Sequence, residues 1–426
     1  MIVYLICYAA SWIFARFGLY YLSGAALFLA AGYLYVYDYR RSGNLIHLRG
    51  LFSCFWVGGQ GAACLKLSKL QTDWALQTWI CFFLALVGFW ITFEVLDRLM
   101  GGNERFTMNR YRQRSTVRPL FFCIVGLTVI SAAAFVTEAA VLGFIPLLVR
   151  GVPHAYSAFH MTGLHYVTVS CVLIPAMTVL YFEQGGSRSG RKNGLIVLCT
   201  LVSIAIPILC VSRFQLVFAV ILAVFTFCAS QKNVSPWLFV AAVVALIPCY
   251  VLLTVARSHD VTYLNGIFEM KNSRMPIFVS QPYIYIANNY ENFDCLVKAL
   301  PAHTWGIRML FPVWALTGLK FLYPYLVNFP IYVDKTELTT VTLIYDAYYD
   351  FGIIGVLVFA CILGAVCFFL VEKLHEMKNP MGYLFYGQMA IYMMLSFFTT
   401  WFSNPTTWFY FLVTAVLTFY CSVSRR

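Results

Sequence analysis

The sequence predicts an all-α, polytopic integral membrane protein of about 12 transmembrane helices with one large extracytoplasmic loop. Three observations carry that prediction. Of 426 residues, 61% are hydrophobic and only 11% charged, where a soluble domain carries roughly 25% charge. Apolar runs of spanning length recur along most of the chain. One polar-aromatic interval, 257–350, interrupts them. A chain this poor in charge cannot coat a water-facing surface, so a soluble enzyme and a disordered protein are excluded.

A spanning helix needs about 20 apolar residues, in a range of roughly 17–25. The runs fall at 2–15, 17–37, 50–66, 75–95, 119–137, 161–182, 194–212, 214–229, 236–256, 351–371, 381–400 and 406–423. Residues 1–256 thus read as nine helices with short loops, 257–350 as the large loop, and 351–426 as three further helices. No basic residue precedes the first run, and Arg16 is the first charge. Residues 1–15 therefore read as a retained helix and not as a cleaved signal.

Basic residues orient the array. The formal charge is +12, from 29 Lys and Arg against 17 Asp and Glu. Seventeen of the basic residues, among them Arg40, Arg41, Arg49, Arg98, Arg118, Arg188 and Lys192, fall on one face of the alternating topology. The short loops of the other face hold five: Arg16, Lys66, Lys69, Arg150 and Arg213. The positive-inside rule puts both termini in the cytoplasm and 257–350 outside. Topology alone accounts for the charge excess, so no nucleic-acid partner is expected.

Segment 257–350 is too long for an ordinary connection. It is rich in Tyr, Phe, Trp and Leu and holds seven basic and eight acidic residues. It is expected to fold as a cap on the outer ends of the helices, with 305–326 lying in the membrane interface or dipping into the membrane. Segment 138–160 is apolar but broken by Gly143, Pro146, Gly151 and Pro153. That pattern suits a non-helical or re-entrant piece lining a cavity. The fourteen cysteines form no CxxC and sit mostly in apolar runs, where a free thiol acts as a small apolar group. No metal-ligand spacing is present.

Polar groups near the outer ends of the helices are few, so each can be weighed. Arg213 sits at the tip of a tight hairpin. It either snorkels outward or ligates an anion, for which a guanidinium is well suited. Arg257 closes the ninth run as a helix-end cation or as a second arm of an anion clamp. Arg274 is a third basic candidate within the loop. Glu138, at the outer end of the fifth run, is a water-facing helix-end group or a base. His165 opens the sixth run as a structural imidazole or a substrate contact. Asp346 and Asp350 are spaced i, i+4 beside Tyr345 and Tyr349. Such a set either holds a sugar, by stacking and hydrogen bonds, or belongs to an interfacial aromatic belt. The sequence has no DxD, no GxxxxGK[ST] and no GxSxG, which leaves metal-bound nucleotide-sugar chemistry, ATP hydrolysis and a serine-hydrolase elbow without support.

Several stretches carry a family resemblance: Gly143 to Leu148, Gly163 to Tyr166, Ser212 with Arg213 in their hairpin, and Tyr348 to Gly355. Their order around one large outer loop resembles the Wzy-type oligosaccharide repeat-unit polymerases, which share a superfamily with the O-antigen ligases. The resemblance covers roughly 120–420 at the level of plan. It implies a GT-C-like glycosyltransferase architecture in a bacterial inner membrane, with the active site on the periplasmic side. It further implies transfer of a growing glycan from undecaprenyl diphosphate to the next lipid-linked repeat unit of an O-antigen or capsule. Metal and nucleotide cofactors are not needed, and a chain-length regulator is an expected partner besides the lipid bilayer. Arg213, Arg257 and Arg274 would bind the diphosphate. His165, Tyr345, Tyr349 and Asp350 would contact the glycan, with Arg213 and one carboxylate, Glu138 or Asp346, serving catalysis. The ligases place a histidine just before the stretch matching Tyr345 to Gly355. Val341 and Thr342 stand there in this chain, so the base stays open. A ligase of the same plan and a lipid-linked-glycan transporter are the competing readings. The absence of a visible internal repeat counts against the transporter.

Overall fold

A computed structural model describes residues 1–100, 117–149, 155–231, 261–374 and 377–423, together with 234, 235, 237, 241 and 244. Its regular structure is helical, with one isolated β-bridge, Ser68 to Met270, among the described residues. The helices used below are α1 (Ile2–Arg16), α2 (Tyr20–Ser42), α3 (Leu48–Cys64), α4 (Leu76–Met100), α5 (Val117–Leu142), α6 (Leu164–Glu183), α7 (Gly190–Leu209), α8 (Arg213–Ser230), α9 (Val261–Phe268), α10 (Ile277–Ala299), α11 (Tyr345–Leu374), α12 (Met381–Met394) and α13 (Pro405–Val423). A 3-10 stretch, Ser170–Leu173, tightens α6 ahead of Pro175.

Seven of these helices are long and apolar enough to cross a bilayer: α4, α5, α6, α7, α8, α11 and α13. That agrees with a polytopic membrane protein and falls short of the expected twelve spans among the described residues. The runs at 2–15, 17–37, 50–66 and 381–400 are helical too but fall outside that count. α1 has 15 residues, α3 has 17 and α12 has 14. α2 is long enough, but its tyrosines, with Asp38, Arg40 and Arg41 near its end, lower its mean hydropathy. The run 236–256 lies mostly outside the described residues.

The chain forms two compact units. The first comprises Met1–Phe106, Asp260–Glu372 and Tyr392–Thr407. Its α1 to α4 alternate in direction, which gathers their charges at two opposite ends. At one end Arg49 is 1% exposed and bonds Asp38 through Nε (2.9 Å) and Nη2 (2.6 Å). Trp90 and Phe93 stack on its guanidinium, while Arg41 pairs with Asp97 at 2.7 Å. Buried charge is tolerated only when paired in this way. At the other end the Lys66 ammonium meets the Glu291 carboxylate at 2.5 Å. Burial pushes the Glu291 carboxyl up, against the pull of Lys66 beside it.

Helix α10 is a feature of the long loop that the sequence pattern did not disclose. It packs on α3 and α4, with the Tyr290 ring 5.6 Å from Trp56 and 5.2 Å from Phe82. The Tyr290 hydroxyl donates to Trp56 O at 2.8 Å. Its asparagines organise the extended chain that follows. Asn292 Nδ2 donates to Leu338 O (2.7 Å) and Thr340 O (2.8 Å), and Asn289 Oδ1 accepts the Thr340 hydroxyl (2.6 Å). Those bonds fix the strand that delivers the first turn of α11. They also use amide groups that would otherwise be buried at a cost of about 1–3 kcal/mol each.

The second unit comprises Thr107–His259, Lys373–Ile391 and Trp408–Arg426. α5 to α8 pack around α6, whose central residues are almost wholly buried. The Tyr410 hydroxyl donates to Val169 O at 3.2 Å, which secures α13 to α6.

Candidate functional site

In the first unit the site is built on the first turn of α11. Four aromatic or acidic groups, Tyr345, Asp346, Tyr349 and Asp350, leave the chain within six residues, and all four are buried. The helix is broken just beyond them. Gly352 adopts φ 62°, ψ −147°, a conformation nearly restricted to glycine. A Cβ there would lie 3.0 Å from His303 Nε2. At Gly355 a Cβ would lie 2.2 Å from the Ala347 carbonyl oxygen. The two glycines of this stretch thus have a local cause: they let a short helix abut a long one at close range.

Asp350 is fully buried and belongs to the neighbouring loop. Its Oδ1 accepts the Thr304 hydroxyl and the Arg308 N–H (3.2 Å), and its Oδ2 accepts the Met309 N–H (2.7 Å). This single carboxylate therefore shapes 304–309 and presents Arg308. The Arg308 guanidinium pairs through Nε with Asp346 Oδ1 and lies 4.5 Å from the centre of the Tyr349 ring. Burial works against its charge, and the Asp346 carboxylate more than offsets this, so Arg308 is held above its ordinary pKa. Tyr345 is likewise engaged. Its hydroxyl accepts the Tyr332 N–H (2.8 Å) and donates to Tyr332 O (3.1 Å).

Arg308 and Asp346 reach a cavity of ≈ 350 Å3. Phe311, Val327, Phe329 and Ile331 form an apolar wall, and Thr399, Thr400, Ser403 and Asn404 a polar one. Guanidinium and carboxylate neutralise one another, so the cavity carries hydrogen-bonding groups without a net charge from that pair. Such a lining suits a hydroxyl-rich, uncharged ligand that can rest on an aromatic face.

The second unit holds a different constellation. Glu138 on α5 is 0% exposed, and its carboxylate is the hub of three donors. It accepts the Met161 N–H (3.1 Å) and the Thr168 hydroxyl (2.7 Å), while His165 Nδ1 lies 3.2 Å from Oε1. A carboxylate at Nδ1 favours the tautomer protonated there and leaves Nε2 as the acceptor. A carboxylate–imidazole pair of this kind can either hold the fold or serve acid–base chemistry. Arg213 is half-buried and is the first residue of α8. The residue two before it, Val211, has φ 54° and is 3% exposed. A β-branched residue in the left-handed region is an outlier. Packing against Leu216, Leu147 and Ile208 compensates for it.

Of the residues singled out in the sequence, Asp346, Asp350, Tyr345 and Tyr349 gather in the first unit, and Glu138 and His165 meet in the second. Both candidate base carboxylates already hold partners, Glu138 three and Asp346 the Arg308 guanidinium. Arg274 is exposed in a turn, where its N–H donates to Asn272 Oδ1 at 3.0 Å. Arg257 lies outside the described residues. Sequence reasoning missed Arg308 and the segment 399–404. The run of Thr399, Thr400, Ser403 and Asn404 between two apolar helices was the available signal.

Fold and constellations together define a helical, polytopic membrane protein whose first unit holds a polar cavity lined by the long loop, Asp346 of α11 and residues 399–405. No family model, no curated protein and no solved structure matches the chain.

Proposed function

We propose that the chain is a glycosyltransferase that polymerises lipid-linked oligosaccharide repeat units of a surface polysaccharide. It moves the growing glycan from a polyprenyl diphosphate to the next lipid-linked unit. The full architecture in this reading is the GT-C-like array of about 12 spans expected from the sequence. The observation that carries it is the ≈ 350 Å3 cavity that Arg308, Asp346 and three hydroxyl side chains share with an apolar wall containing Phe311 and Phe329. A neutral, hydroxyl-matched cavity selects sugar and not the diphosphate itself. The diphosphate falls to Arg213, with Arg257 and Arg274 as further ligands.

Negative charge grows on the departing diphosphate, so fixed guanidinium groups there stabilise the transition state more than the ground state. The attacking sugar hydroxyl must lose a proton. Glu138, with His165 beside it in the second unit, and Asp346 in the first are the candidates for that task. A single displacement of this kind inverts the anomeric centre.

The test is a gel ladder of the surface glycan from cells carrying Arg213→Ala or Thr400→Val, with protein level monitored. Polymerase function predicts single-unit glycan at unchanged protein level. Loss of all transferred glycan would favour a ligase, and lipid-linked substrate retained on the cytoplasmic side a transporter. An unaltered long ladder in both variants would remove the proposal.

A further inference from the structure

A cavity of ≈ 500 Å3 lies at the end of the second unit away from Glu138. Phe121, in its wall, and Glu138 are 17 residues apart on α5, or about 25 Å. Arg118, Arg188 and Lys192 line it, together with Phe121, Phe122 and Tyr181, and no carboxylate lines it among the described residues. The nearest acid in sequence, Glu183, accepts a bond from the Gln231 amide instead. Helix α7 starts at the same place, with Ser189 as its N-cap, no side-chain cap and no acid in its first turn. The positive end of a helix dipole therefore adds to three cations, an arrangement that repels itself until an anion occupies it.

Hydrogen bonds brace the cavity wall. Asn193 Oδ1 accepts the Ser187 N–H and the Tyr181 hydroxyl, both at 3.0 Å, and Asn193 Nδ2 donates to Ser187 O at 3.0 Å. The Arg118 guanidinium lies 6.0 Å from the Phe122 ring, and the Lys192 ammonium 5.8 Å from the Phe121 ring. From the cavity an exposed apolar stripe continues along α5: Phe122, Val129 and Val136, each seven residues from the last. α5 is one of the spanning helices, so that stripe runs at acyl-chain depth.

We infer that this cavity binds the phosphate of an anionic phospholipid, with an acyl chain laid along Phe122, Val129 and Val136. The three cations ligate the phosphate oxygens, and the stripe separates a lipid from a soluble anion.

The purified full chain is delipidated and titrated with phosphatidylglycerol or phosphatidylcholine, and retained lipid is read by native mass spectrometry. Phosphatidylglycerol should be held selectively. The variant Arg118→Gln/Arg188→Gln/Lys192→Gln changes exposed side chains only and should weaken it on the order of 100-fold. Arg191→Gln, in the same helical turn but outside the lining, should leave binding within about 2-fold if the cavity and not diffuse charge is responsible. Equal retention of both lipids, an unchanged triple variant, or an Arg191→Gln loss as large as the triple's would overturn the inference. Displacement of the lipid by millimolar inorganic phosphate would mean a soluble-anion site and overturn it too.

Discussion

Removing the Arg308 guanidinium while Asp346 stays should destabilise the protein, and removing both should restore much of the loss. The side chains are 14% and 7% exposed, so Arg308→Met leaves a nearly buried carboxylate without its counter-ion. Breaking a buried pair from one side costs about 3–5 kcal/mol. Because the pair borders a cavity that admits water, the low end applies. About 3 kcal/mol corresponds to a shift of roughly 150-fold in the folded to unfolded ratio. Arg308→Met/Asp346→Leu removes both charges and should recover at least half of that. The readout is the unfolding midpoint of detergent-solubilised protein, followed by size-exclusion fluorescence after heating. Glycan ladders from the same variants separate stability from function: both should lack long chains, because the double variant restores the fold and not the polar cavity. A single variant as stable as the parent would show that the pair is not coupled. A double variant that makes a full ladder would show that its chemistry is dispensable.

Three further outcomes are expected. Gly352→Ala should cost about 1–3 kcal/mol, and His303→Ala in the same background should return little of it, because the backbone conformation and not only the contact is at fault; thermal midpoints of the three proteins check this. Glu138→Gln places an amide donor where three donors converge and should cost about 1–3 kcal/mol while lowering glycan polymerisation; His165→Gln should abolish polymerisation with a smaller loss of stability, and equal losses of stability in the two would argue for a purely structural pair. Lys66→Met should lower the midpoint strongly by stranding Glu291, with Lys66→Met/Glu291→Gln regaining most of it, which chemical unfolding of the two variants measures.

Much of the helical pattern was legible because apolar runs of spanning length and basic loops declare themselves locally. The i, i+4 spacing of Asp346 and Asp350 was legible for the same reason. Arg308 was not, since it lies 38 residues before Asp346 and reaches it only because Asp350 folds the 304–309 loop underneath. Glu138 and His165 each stood out as lone polar groups, and their pairing across 27 residues depended on the turn that brings Met161 N–H to the same carboxylate. Helix α10 escaped notice within the expected cap because Asn288, Asn289, Glu291, Asn292 and Asp294 interrupt its apolar pattern. Their burial becomes tolerable only once Lys66, Thr78 and the carbonyls of 338–340 supply partners from distant parts of the chain.

The break at Gly352 divides α11 into a seven-residue start and a long remainder. Bilayers vary in thickness by a few ångströms, and a long helix answers by tilting. Beyond the glycine, the trans-bilayer part of α11 can lean with the lipid around it, while the seven residues on the near side stay anchored by Thr304, Arg308 and Tyr332. A tilt confined to the long part would leave the carboxylates in register with Arg308 and the 304–309 loop.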